Sequence, residues 1–110
     1  MKIIKFIEKF DLGGEIDSEK AIEAKQIYTG SRRQIIEIKL SSNAVLSKHK
    51  AAEPITILCL SGSGKFLAGA DLQEEMALEP GTFLTLEAEV LHEVIATSAL
   101  HILLTKFKQG

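Results

Sequence analysis

Residues 58–69 read LCLSGSGKFLAG, and the reading of the GSGK within them separates two classes of fold. A phosphate-cradling loop needs a glycine five residues ahead of its Gly-Lys pair, to turn the backbone, and a Ser or Thr directly after it, to hold the metal. Cys59 and Phe66 stand at those places. Such a loop also leads into a helix whose N-terminus faces the anion, whereas Lys65 to Asp71 read as a short strand followed by another turn. The stretch is therefore a tight turn between two strands, and β structure is expected on both sides of it.

The length of 110 residues fits one domain with a single core. Hydrophobic residues make up 45% of the chain, in the range of folded proteins, and a net charge of -2 gives no basis for a nucleic-acid or membrane partner. Cys59 is the single cysteine, so no intramolecular disulfide is possible. Its place in an apolar run makes it a small buried hydrophobe, and the cytoplasm is the expected compartment. MKIIKFIEKF, residues 1–10, begins like a signal peptide, but Lys5, Glu8 and Lys9 interrupt the apolar stretch before it reaches the length of an h-region.

Ile3, Ile4, Ile7 and Phe10 recur near helical spacing, which predicts a short amphipathic helix over residues 2–10, stopped by Gly13-Gly14. A helix of that length is unstable alone and must lie on the rest of the fold or on a partner subunit. Residues 1–21 are thus expected to form an N-terminal helix and extension, and residues 22–110 the main domain. Strands are predicted at 22–28, 32–40, 44–46, 55–60, 65–68, 72–78, 83–86, 92–96 and 100–107. They alternate with turn signals such as Gly62-Ser63-Gly64, Gly69-Ala70-Asp71 and Glu79-Pro80-Gly81. Residues 72–78 are rich in helix formers, yet the flanking turn and neighbouring strands favour a strand there. The number and spacing of these elements are those of an all-β antiparallel sandwich or barrel.

Two stretches carry a family pattern: VLSKHKAAEPITILCLSGSGKF, residues 45–66, and LEPGTFLTLEAEVLHEVIATSALHILLTKF, residues 78–107. Over about residues 35–107 the chain resembles the cupins, RmlC-like double-stranded β-helix barrels of jelly-roll type. The first cupin motif runs Gly, five residues, His, one residue, His, three or four residues, Glu, six residues, Gly. Anchored at Gly62, it places its opening glycine at Asn43, its histidines at His49 and Ala51, and its glutamate at Ile55. The second runs Gly, five residues, Pro, one residue, Gly, two residues, His, three residues, Asn. Anchored at Gly81, it places the proline at Glu87, the second glycine at Glu89, the histidine at His92 and the asparagine at Ala96. Each motif thus keeps one glycine and one histidine. Asn43 is a tolerable substitute, since Asn accepts positive φ well, while the changes at Glu87 and Glu89 bear on the loop before His92.

In the metal-binding cupins, which this chain resembles, three histidines and a glutamate hold iron, manganese, nickel or zinc. Ala51 and Ile55 carry no donor, so the four-ligand site is lost, and His49 and His92 remain as candidate ligands for a divalent transition metal (Fe, Ni, Mn or Zn). Two histidines and a carboxylate suffice for non-haem iron. Alternation along a regular strand would put Glu53 on the face of His49, making it the candidate third ligand, with Pro54 marking a bend. Glu87 and Glu89 fall at loop positions and are expected to face solvent.

By the same alternation His49, Ala51 and Ile55, with His92, line an apolar cavity with a polar pair at one end, a composition suited to a small, partly hydrophobic organic ligand. Ile57 and Cys59 fill the core, Lys48 and Lys50 face outward, and His101, which has no motif position, is expected at the surface or an edge. No residue is assigned a catalytic role. The leading expectation is a stand-alone module binding a small organic ligand, with or without a loosely held metal. One alternative is a metal-dependent dioxygenase or isomerase using His49 and His92. The other is a sensor or dimerisation domain acting with a regulator in trans, since no helix-turn-helix pattern flanks the barrel. The resemblance to small cupins also implies a homodimer.

Overall fold

The computed structural model describes residues 3, 4, 9–12 and 20–109. Nine strands follow in order: β1 (Ile22–Thr29), β2 (Arg33–Leu40), β3 (Val45–His49), β4 (Ile55–Ser61), β5 (Gly64–Ala68), β6 (Glu74–Leu78), β7 (Phe83–Leu86), β8 (His92–Ala96) and β9 (Leu100–Phe107). They build two antiparallel sheets. The larger, in the order β1-β2-β9-β4-β7, faces the smaller, in the order β3-β8-β5-β6. This is a two-sheet jelly roll.

The stretch at 58–69 makes the step from one sheet to the other. Gly62 and Ser63 connect β4 to β5, and the turn they make is tight enough to demand glycine. Gly62 has φ of +85°, and a Cβ there would lie 1.8 Å from the carbonyl oxygen of Ala99, a contact no side chain survives. Lys65 sits on the solvent side of β5, 3.7 Å from Glu75 on the adjacent β6. It holds a surface ion pair, not a phosphate.

Alternation explains the core. Ile55, Ile57 and Cys59 of β4, Phe66 and Ala68 of β5, Val94 and Ala96 of β8, and Leu100, Ile102 and Leu104 of β9 all turn into the space between the sheets and are buried. Each fully enclosed Ile or Leu stabilises the fold by roughly 2 kcal/mol through its removal from water. Cys59 is among them, its thiol pKa raised by burial, as expected of an inert packing residue.

No helix occurs among the described residues, which corrects the short N-terminal helix expected over 2–10. Ile3, Ile4, Lys9 and Phe10 of that segment are non-helical, and residues 2 and 5–8 lie outside the described residues. A segment this short cannot offset the cost of a helical nucleus, and tertiary packing governs its path: the Phe10 ring stands edge-on to that of His101 at 6.2 Å between centroids. The strand bounds differ from expectation chiefly in two places. β3 continues as far as His49, and β6 begins only at Glu74, because Gly69 and Leu72, with φ of 110° and 53°, turn the chain first.

The four positions that the cupin motifs assign to glycine share one backbone property. Asn43, Gly62, Gly81 and Glu89 have φ of 68°, 85°, 95° and 68°, all in the left-handed region that glycine enters freely. The substitution at Glu89 therefore changed the side chain and left the turn before His92 in place.

Candidate ligand site at the histidine pair

His49 and His92 lie 43 positions apart in sequence and directly opposite one another in the β3–β8 ladder. A β-bulge brings this about. Leu46 is paired with Val94, so regular counting would set Lys48 across from His92, but a register shift between Leu46 and His49 adds one residue and sets His49 there instead. Because directly opposed residues project to the same face of a sheet, the bulge turns His49 inward to join the buried His92. Without it, His49 would lie on the outer face.

The two imidazoles meet with centroids 4.2 Å apart at 62°, and the ring of Phe66 stacks on His92 at 5.6 Å and 13°. His92 is 2% exposed, while His49 reaches the solvent-facing mouth. Both rings are oriented in the same way. Nδ1 of His49 donates to the carbonyl of Ser47 at 2.8 Å, and Nδ1 of His92 to that of Val90 at 2.9 Å. A carbonyl only accepts, so each Nδ1 carries its proton and each neutral ring keeps the Nε2 lone pair for another partner. Burial lowers the pKa of His92 below 6.5; its bond to the Val90 carbonyl opposes this, and the charges of His49 and Lys106 reinforce it. His92 is held neutral.

Two facing rows of side chains frame the site. Across the smaller sheet the register runs His49, His92, Ala68, Glu74; across the larger it runs Gln34, Lys106, Ile55, Leu86. Lys106 was not singled out in the sequence, though its signal was there, since it continues the inward alternation of Leu100, Ile102 and Leu104. The small side chain of Ala68 opens a neighbouring cleft of about 170 Å³ between the β6 and β7 edges, lined by Phe66, Ala68, Glu74, Met76, Leu84 and Leu86 among others. Phe66 is thus a wall shared by the cleft and the histidine pair.

Of the other residues singled out, Ile55 is 1% exposed and forms part of the floor. Ala51 packs on the core margin and accepts a hydrogen bond at 2.8 Å from the Glu89 amide. Glu53 sits in a bend, because residues 50–54 leave the strand and end the regular alternation that linked it to His49. It lines a separate surface depression with Pro54, Glu87, Ala88, Phe107 and Lys108. His101 departs from the surface placement expected of it. It is 2% exposed on the outer side of β9, with Nε2 2.7 Å from the Glu37 carboxylate and Phe10 against its ring.

The metal that the resemblance implies needs a donor set that this site lacks. Among the described residues no three His, Cys, Asp or Glu side chains are grouped to hold an ion. Two imidazoles with an ammonium among their near charges do not make a resident metal centre, which needs at least a third donor and favours negative charge. The residues present do not fit one.

No family model matches the sequence, and no curated protein matches it either. Solved structures do. A conserved protein of unknown function from Streptococcus pyogenes superposes with a TM-score of 0.75 over 99% of this chain and 99% of its own, at 16% identity. An RmlC-like cupin protein from Desulfovibrio desulfuricans does so with a TM-score of 0.72 over 96% of this chain and 94% of its own, at 19% identity. A cupin superfamily protein from Desulfitobacterium hafniense gives 0.73 over 80% and 78%, at 15% identity. The chain has the cupin fold. Identity this low speaks to the fold alone, so the functional reading of this cupin scaffold rests on its own side chains. Among the described residues no helix is long and apolar enough to cross a membrane.

Proposed function

We propose that this cupin-fold chain is a small-molecule-binding module whose organic ligand sits at the mouth between the sheets, against His49 and His92. The observation that carries the reading is the paired orientation of the two imidazoles, each with Nδ1 tied to a backbone carbonyl and Nε2 left for a ligand. Phe66 stacks on His92, and the half-buried Leu46 shares β3 with His49, so apolar groups adjoin this polar pair, the combination that small organic ligands require. A bulge spent on turning His49 inward supports the same reading, since bulges of this kind re-aim side chains at sites.

Native mass spectrometry and elemental analysis of protein purified without chelators or an affinity tag test the proposal. A small organic molecule that co-purifies with the parent and is absent from a His49→Ala, His92→Ala double variant is the expected result. Stoichiometric transition metal in the parent that disappears in the variant would replace this reading with a metal centre.

We also propose that the chain forms a two-fold dimer through β1. The larger sheet has one strand more than the smaller, so β1 overhangs the sandwich: Ala24 and Gln26, which share the inward side of the sheet with Ile38 and Ile36, are exposed. Among the described strands none pairs with the outer edge of β1, which is eight residues long, and a strand edge of this kind is a natural seat for a second copy.

A further inference from the structure

We infer that the ligand held at the histidine pair is an organic anion, a carboxylate, and that Lys106 is the residue that selects it. The inference rests on the ligand-site reading above and names the chemical class it takes. Lys106 occupies the inward side of β9, in line with Leu100, Ile102 and Leu104 and between Gln34 and Ile55 in the register. Lys106 is half-buried there, and a lysine in such a place is stabilised when something negative meets it. Among the described residues nothing does. The ion pairs there join Lys65 to Glu75 and His101 to Glu37, and no carboxylate lies within ion-pair distance of Lys106.

Its surroundings sharpen the argument. The row facing it presents two imidazoles at one end, and the Lys106 charge is felt at His92. Glu53 and Glu87, the carboxylates near in sequence to this end of the molecule, line the depression beside Lys108 instead. The cup therefore contains the Lys106 ammonium and two imidazoles, with no acid among the described residues to balance the positive charge. A metal cation would meet repulsion there. A carboxylate accepts from the Lys106 ammonium with one oxygen and presents the other to Nε2 of the solvent-facing His49, which donates when that ring carries its second proton. The half-buried Leu46, on the same strand as His49, offers apolar surface for the remainder of the acid.

The experiment compares charged and neutral partners of one shape: acetate with acetamide and benzoate with benzamide, with citrate added, by calorimetry and thermal shift on the parent protein. Carboxylate binding that the amides do not reproduce is expected. Lys106→Met should weaken it by about 10- to 100-fold, the loss of one charge-assisted hydrogen bond, and Lys106→Arg should retain most of it. The methionine variant keeps the length and apolar stem of lysine, and the arginine variant guards against a folding defect. Equal binding of acid and amide, no response to any of the acids, or an unchanged affinity in Lys106→Met overturns the inference. Amide binding abolished by the His49→Ala, His92→Ala double variant would leave the ligand cup standing and remove only its preference for anions. Binding indifferent to that variant would remove the cup as well.

Discussion

At Glu89 the backbone takes φ of +68°, a conformation that places Cβ near the following carbonyl and costs about 1 kcal/mol or more in a residue that is neither Gly nor Asn. The turn it makes sets the start of β8 and so the place of His92. Glu89→Gly should relieve the strain and stabilise the fold by about 1 kcal/mol, raising the melting temperature by several degrees in a domain of this size. A melt that stays put or falls would show that the Glu89 side chain contributes more than its backbone loses. Asn43, at the same φ, should gain much less from glycine, since its side chain tolerates the region.

His92 supplies a second residue-level expectation. Its folded pKa lies below the ordinary 6.5, chiefly through burial, so under acid the unfolded chain binds the proton that the folded chain refuses. The stability linked to this group is complete above about pH 6.5 and is lost as pH falls from there through the lowered folded value. Denaturant melts across that range should lose stability on acidification in the parent, and less so in His92→Gln.

Among the elements, β3 depends on one inserted residue. Deleting Lys48 should remove the bulge and leave a regular ladder in which His49 still stands opposite His92, so ligand binding should persist in the deletion variant, whereas His49→Ala should abolish it. Binding lost on the deletion would show that the position of His49 depends on the bulge itself and not only on which residue faces His92. The outer side of the β2–β9 pair carries a different dependency. There Glu37 meets Nε2 of His101, while Nδ1 of the same ring is buried and has no hydrogen-bond partner. Removing the carboxylate leaves the ring with no partner at either nitrogen, so Glu37→Ala should destabilise by about 1–3 kcal/mol in equilibrium unfolding. A cost within 0.5 kcal/mol, the range of an ordinary surface change, would mean that water replaces Glu37. Phe10 shields this pair, which ties the N-terminal segment to the outer wall.

For the molecule as a whole, two sheets of unequal width leave β1 as an edge strand with β2 as its one partner among the described strands. Sedimentation equilibrium should give twice the 12.0 kDa chain mass, and Ala24→Arg, which sets a charge on the overhanging face, should shift the protein to monomer. A parent that sediments as a monomer at all concentrations would remove the dimer. The cleft between β6 and β7 lies at the opposite edge of the larger sheet from β1, so pairing through β1 leaves it clear.

The sequence by itself determined what depends on near neighbours along the chain. Alternating apolar residues such as Ile55, Ile57 and Cys59 set the strands, and Gly62 and Gly81 set the turns between them, because side-chain period and backbone φ are local properties. His49 and His92 were singled out by the resemblance to the cupin motifs anchored at Gly62 and Gly81. Tertiary structure alone decided what depends on the strand across the way. The bulge that turns His49, the nearness of Lys106 to His92, the burial of His101 beneath Phe10 and the bend that carries Glu53 aside all arise from pairing and packing between segments distant in the chain. A single strand has no record of which residue it will face; only the folded sheets choose the register, and with it the charge of the cup.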